Sequence, residues 1–258
     1  MNAQVDVQAM LLESHLKALR LPWFLKQYRK LSEEATQSNP SYEAYLLALA
    51  EGELLQREEN RKLRRIKAAT FPVMKELAEF DFSTLASLNK QRVLDLARGG
   101  YIERREPILM VGNPGLGKTH VATGLGLAAC RQGYKVRFYN AAGLAGELLQ
   151  AQDEHRLAKV FASALKQELI ILDELGFIPF TAAGAQLLFQ FCSALYERVT
   201  LIVTTNLRFA DWTQVFGDER LTAALLDRLT HRAVILEFIG ESYRFRQHLE
   251  RSHGEAAG

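Results

Sequence analysis

Four residues at fixed spacing carry the first chemistry in this sequence: Gly112, Gly117, Lys118 and Thr119 fit G-x-x-x-x-G-K-[ST] within LMVGNPGLGKTHVATGLGLAAC. Glycine adopts backbone angles that other residues resist, so such a loop turns several N–H groups inward around phosphates. The helix that follows adds the partial positive charge of its N-terminus. Gly112, Asn113, Pro114, Gly115, Leu116, Gly117, Lys118, Thr119 and His120 are therefore the expected nucleotide-contacting stretch. Lys118 is placed to reach the β- and γ-phosphates of ATP, and the Thr119 hydroxyl to ligate a bridging Mg2+. The flanks suit the motif: Ile108 to Val111 is a short apolar run, and Thr119 to Cys130 is small and apolar enough to be a helix packed on a sheet.

Two further apolar runs end in polar residues. LIILDE places Asp173 and Glu174 at the end of a buried strand, Asp173 as a second magnesium ligand and Glu174 to orient and polarise the attacking water. An apolar run ending in Asp-Glu can equally mark a strand emerging into solvent; beside a phosphate loop, the chemical role is the better supported. TLIVTTN brings Thr204, Thr205 and Asn206 to the same edge, where the Asn206 amide can hydrogen-bond the γ-phosphate or the water. DERLTAALLDRLTHRAVILEF spaces Leu221, Leu225 and Leu229 four apart, which predicts a helix over about 218–231 with Arg220, Arg228 and Arg232 on other parts of its surface.

Five apolar runs of strand length, at 108, 135, 169, 200 and 233, alternate with amphipathic segments after residue 100. Strands buried on both faces read as continuous apolar runs, so a mostly parallel central sheet flanked by helices is expected. The first hundred residues read as helical and polar. Apolar residues at Leu12, Leu16, Leu19 and Trp23 give a helical pattern divided at Pro22, SEEATQSNPS reads as a connector, and helix resumes at Tyr42. Short helical pieces end at Gly99-Gly100, so the expected division is 1–100, 101–245 and a frayed tail 246–258.

At 258 residues the chain has ample length for a core, with 48% hydrophobic and 24% charged residues. The net charge of +2 gives no overall signal for nucleic acid, so any such contact must come from local patches. Cys130 and Cys192 each lie in an apolar run, which suits buried thiols in a reducing cytosol and no zinc site. Acidic Asp6 and the lack of an apolar core near the N-terminus argue against a secretory signal. Residues 175–196 contain no charged side chain, but Gly176, Pro179, Gln186 and Gln190 make them a buried loop and helix rather than a membrane span.

In that order, these motifs resemble the AAA+ ATPases of the initiator and helicase-loader group. FPVMKELAEFDFS, GNPGLGKTH, LIILDELGF, IVTTNLRFADW, ALLDRLTHRA and GESYR are similar to the IstB-type helper ATPases of bacterial insertion sequences, from Phe71 to Arg244. The resemblance implies an ATPase that assembles on double-stranded DNA, bends it, and passes the target to a partner transposase that it stimulates. It further implies a homo-oligomer with ATP sites at subunit interfaces and a cytoplasmic protein, nucleoid-associated when DNA-bound. By the match of LLDRL, it makes Arg228 the arginine that acts across a subunit contact. The stretch after AVILEF is short for the helical lid of many AAA+ proteins, so a reduced or absent lid is expected, with Arg244 a doubtful second sensor.

For DNA, REENRKLRRIK gathers Arg57, Arg61, Arg64 and Arg65 on one side of a helix, suited to a row of phosphates. A solvated helix laced by Glu53–Arg57 and Glu58–Lys62 pairs fits the same residues. Arg131, Lys135 and Arg137 form a second cluster with the same two readings. No base-reading motif is present, so phosphate and shape contacts with steep salt dependence are expected. A replicative-helicase loader and an ATP-sensing module without turnover are the competing functions.

Overall fold

The computed structural model describes residues 3–242, which fall into two compact units divided between Arg64 and Arg65. Residues 65–100, which composition groups with the N-terminal helices, lie in the second unit. Arg244 and the tail 246–258 lie outside the described residues, as does the stretch in which a lid would be sought.

In the first unit, α1 (Ala3–Ala18) and α2 (Pro22–Ser38) are followed by α3 (Tyr42–Ala69), which continues through the division. Pro22 opens α2, as proline at a first helical position does. The expected connector at 32–41 is mostly helix, because Glu33, Glu34 and Ala35 favour it; the stop comes at Asn39, in a left-handed conformation (φ 46°). Trp23 lies directly over Gly52, where a Cβ would meet its ring at 2.2 Å, and the Trp23 amide donates to Glu53 at 2.9 Å.

The second unit opens with two short 3-10 turns, at Leu77–Glu79 and Phe82–Thr84, then α4 (Lys90–Leu96) and α5 (Gly100–Glu103). The α/β part runs β1 (Ile108–Gly112), α6 (Lys118–Gln132), β2 (Val136–Asn140), α7 (Ala141–Asp153), α8 (Leu157–Ala164), β3 (Leu169–Asp173), α9 (Ala182–Leu195), β4 (Thr200–Thr205), α10 (Thr213–Phe216), α11 (Glu219–Thr230) and β5 (Val234–Phe238). All five runs anticipated as strands are strands, and α11 spans the anticipated helix, capped by Asp218. The sheet is wholly parallel, in the order β2-β3-β4-β1-β5.

Side chains of alternate parity feed the two faces. Ile108, Met110, Ile171 and Ile202 join the core under α6, whereas Leu109, Ile170, Leu172 and Val203 join the core under α7, α9 and α11. Cys130 and Cys192 are both free and buried. No described helix is long and apolar enough to cross a membrane; residues 182–195 are a core helix.

Candidate nucleotide-binding site

Because every strand runs the same way, the ends of β1, β3 and β4 meet at one edge, where ligands of such sheets bind. The loop after β1 is fitted tightly there. A Cβ on Gly112 would meet the Phe238 carbonyl at 2.1 Å, and Gly117 combines φ 85° with a Phe80 ring 2.5 Å from where its Cβ would stand. Both positions therefore require glycine. Lys118 begins α6, and its Nζ donates to the carbonyls of Gly112 at 2.6 Å and Asn113 at 2.8 Å, folded against the loop it would serve.

The Thr119 hydroxyl donates to both Asp173 oxygens, at 2.9 and 3.0 Å, and the Thr204 hydroxyl donates to Asp173 Oδ1 at 2.5 Å. Burial pushes the Asp173 carboxyl above its ordinary range, with the hydrogen bonds from Thr204 and Thr119 working the other way. A hydroxyl and a carboxylate side by side are hard oxygen donors of the kind magnesium takes together with substrate phosphates. Among the described residues no cluster of three or more His, Cys, Asp or Glu could hold a metal alone. The donor set thus fits Mg2+ arriving with a nucleotide.

Glu174 follows at φ 58°, a strained angle for a non-glycine residue. Its amide donates to Thr204 Oγ1 at 2.9 Å, and its carboxylate accepts from Asn140 Nδ2 at 2.9 Å. Asn140 also caps α7, its Oδ1 accepting from the amides of Ala142 and Gly143. Sequence reasoning missed Asn140; an asparagine ending a strand reads as an ordinary helix cap. Asn206 Oδ1 is buried with no hydrogen-bond partner, an acceptor left unpaired at the cavity wall.

Lys118, Thr119, Glu174, Thr204 and Asn206 line one cavity of about 620 Å3, and Asp173 and Asn140 are hydrogen-bonded to its lining residues Thr119 and Glu174. Its outer wall is a strap, residues 71–85, that contributes Pro72, Val73, Lys75, Phe80, Thr84 and Leu85. The strap lies flush on α6 because α6 carries glycine beneath it: a Cβ on Gly124 would meet Leu77 at 2.7 Å, and one on Gly126 would meet Phe71 at 2.8 Å. Glu76 fastens it further, pairing with Arg131, while its carbonyl meets His120 Nε2 at 2.8 Å. His120 also lies edge-on to Phe80, with ring centroids 5.2 Å apart. Pro114, Gly115 and Leu116 complete the loop side of the cavity.

Arg228 lies elsewhere: it is not among the residues lining this cavity, its guanidinium sits over the Phe189 ring at 4.9 Å, and it donates to the Ala224 carbonyl at 3.1 Å. Several basic side chains singled out for DNA have local engagements. Arg57 binds Glu53 at 2.8 Å and the Arg20 carbonyl at 2.7 Å within the first unit. Lys62 pairs with Glu59 rather than Glu58. Arg65 would lie 3.8 Å from a Cβ on Gly133, at the C-terminal end of α6, and Arg137 binds the Ala68 carbonyl and stacks over Tyr139 at 5.4 Å. Arg61, Arg64 and Lys135 are exposed.

Comparison with known proteins gives a consistent result. The family model for IstB-like ATP binding proteins matches residues 14–251. The chain is 35% identical over 229 residues to the ATP-binding protein of insertion sequence IS5376 from Geobacillus stearothermophilus, covering 89% of this chain and 91% of that one. It is 34% identical over 242 residues to the corresponding protein of IS232 from Bacillus thuringiensis, covering 94% and 97%. Among solved structures, AMPPCP-bound DnaA from Aquifex aeolicus superposes with a TM-score of 0.56 at 18% identity, over 70% of this chain and 55% of that one, which supports the AAA+ fold.

Proposed function

From the premise that the chain belongs to the IstB-like ATP-binding protein family and is an insertion-sequence-associated AAA+ ATPase, we propose that it hydrolyses ATP with Mg2+ while assembled on double-stranded DNA. In this role it bends the duplex and recruits and stimulates a partner transposase, with hydrolysis timing assembly and release.

One observation carries the chemical part: Lys118, Thr119, Glu174 and the unpaired Asn206 Oδ1 line a single cavity, and Asp173 is bonded to Thr119 at its floor. On nucleotide binding Lys118 exchanges two backbone carbonyls for the β- and γ-phosphates. Thr119 and Asp173 would hold the metal, which would supply charge neutralisation at the phosphates. Glu174 accepts the proton of the attacking water, and Asn140 fixes where that carboxylate points. Asn206 binds the water or orients against the γ-phosphate. The strap encloses the base and ribose between Leu85, Phe80 and the loop. Arg228, absent from its own cavity, serves the site of a neighbouring copy.

Arg61, Arg64 and Lys135 supply exposed positive charge for DNA phosphates. The residue-level roles are tested by filter-retained ATP, released phosphate, and competition between duplex and single-stranded DNA. A strong preference for single strands would instead indicate a helicase-loading protein.

A further inference from the structure

The last regular pairs between β3 and β4 are Ile171 with Ile202 and Leu172 with Val203. One residue further along β4, a side chain takes over from the ladder. Glu174 turns into a left-handed conformation (φ 58°), and its amide donates to Thr204 Oγ1 at 2.9 Å rather than to a backbone carbonyl. The next amide, of Leu175, returns to the Thr204 carbonyl at 2.9 Å. Thr204 is only 1% exposed, so bulk water does not compete for these ties.

An amide can only donate, which settles the polarity of that hydroxyl. Oγ1 accepts from Glu174, and its single proton goes to Asp173 Oδ1, 2.5 Å away. A hydroxyl donating to a carboxylate at that distance makes a strong, charge-assisted bond. Thr119 donates to the same carboxylate across both oxygens, at 2.9 and 3.0 Å, and would have to turn from them to ligate magnesium. Thr204 has no such second task. Its bond engages Oδ1 and leaves Oδ2 the freer oxygen.

We propose that Thr204 is a positioning residue for ATP hydrolysis: its one hydroxyl aligns Asp173 for magnesium and holds the turn that aims Glu174 at the attacking water. This role rests on the reading of the cavity as an ATP–magnesium site, and adds to it a residue that acts through the two carboxylate side chains. Other threonines of β4 are spent differently. Thr205 Oγ1 accepts from the Leu207 amide at 3.1 Å, and the Thr200 hydroxyl donates to the Ile102 carbonyl at 3.2 Å, at the far end of the strand.

The test compares Thr204→Val, Thr204→Ser and Thr200→Val in the full chain. Valine keeps the branched shape and strand preference but lacks the hydroxyl, whereas serine keeps the hydroxyl and lacks the methyl group. The first readout is the magnesium concentration needed for half-maximal retention of a non-hydrolysable ATP analogue on filters. Thr204→Val should raise it about tenfold, with retention in excess magnesium unchanged, and should lower phosphate release in excess magnesium and ATP about tenfold. Thr204→Ser should recover most of both losses. Thr200→Val, which also removes a buried hydroxyl from β4, should match the wild type in both. Equal defects in the valine and serine variants would make packing the cause and overturn the proposal, as would a Thr204→Val protein with wild-type magnesium dependence and release. If Thr204→Val does not fold, Thr204→Ala against Thr204→Ser isolates the same hydroxyl, and equal behaviour of that pair overturns the role. A wild type without magnesium-dependent retention is failure of the nucleotide site itself, whereas normal retention with indistinguishable variants removes only Thr204.

Discussion

The strap is the part of the site whose placement can be perturbed most cleanly. Gly124 points at it from α6, and a Cβ there would stand 2.7 Å from Leu77 Cγ and Cδ2 and 3.0 Å from the Leu77 backbone nitrogen. Ordinary contact begins at 3.4 Å, so Gly124→Ala must displace the Leu77 side chain by roughly 0.7 Å and its backbone nitrogen by roughly 0.4 Å. Overpacking of this kind costs about 1–3 kcal/mol, against about 1 kcal/mol gained by replacing glycine with alanine in a helix. Gly146→Ala on α7 is the matched control, because nothing lies within 4 Å of its added Cβ; it should show the gain alone. The two variants should therefore differ by about 2 kcal/mol, or about 4–8 °C in melting temperature for a unit of this size. Because the strap walls the cavity, Gly124→Ala should also weaken binding of a fluorescent ATP analogue by about tenfold, or about 1.4 kcal/mol. Turnover of what remains bound should be little changed. A Gly124→Ala protein that melts with Gly146→Ala and binds ATP normally would refute the idea that the strap is seated on glycine.

Other perturbations follow from particular contacts. Lys118→Ala should abolish ATP retention, whereas Glu174→Gln should retain ATP and lose phosphate release; both are read by filter binding and phosphate assay. Asn140→Asp keeps an oxygen for the α7 cap but sets a carboxylate against Glu174, so turnover should fall with little change in melting, while Asn140→Ala should also lose about 1 kcal/mol of stability. Asp173→Asn removes a buried charge yet keeps an acceptor for Thr119 and Thr204; the nucleotide-free protein should melt higher, by about 1 kcal/mol, and lose its magnesium-dependent ATP binding. Arg131→Ala breaks an exposed pair with Glu76 and should cost no more than about 1 kcal/mol.

The sheet was legible because its strands are buried on both faces, which forces unbroken apolar runs such as LIIL and TLIV. The phosphate loop was legible for a related reason: close approach to Phe238 and Phe80 admits only glycine at Gly112 and Gly117. The strap was not, since single 3-10 turns have no periodicity and their anchoring depends on glycines of a distant helix. Nor was the division at residue 64, because a helix continuing through it leaves no punctuation in the sequence. The basic run on α3 shows the limit of charge counting. Arg57 faces Glu53 and a carbonyl, while Arg61 and Arg64 face solvent, and spacing alone does not separate the two fates.

The most direct test of the account is retention and hydrolysis of ATP by the full chain, measured with magnesium and duplex DNA, beside Lys118→Ala and Glu174→Gln. Magnesium-dependent retention and phosphate release are expected in the wild type, neither in Lys118→Ala, and retention without release in Glu174→Gln. Equal retention by wild type and Lys118→Ala, or unaltered release from Glu174→Gln, would contradict it.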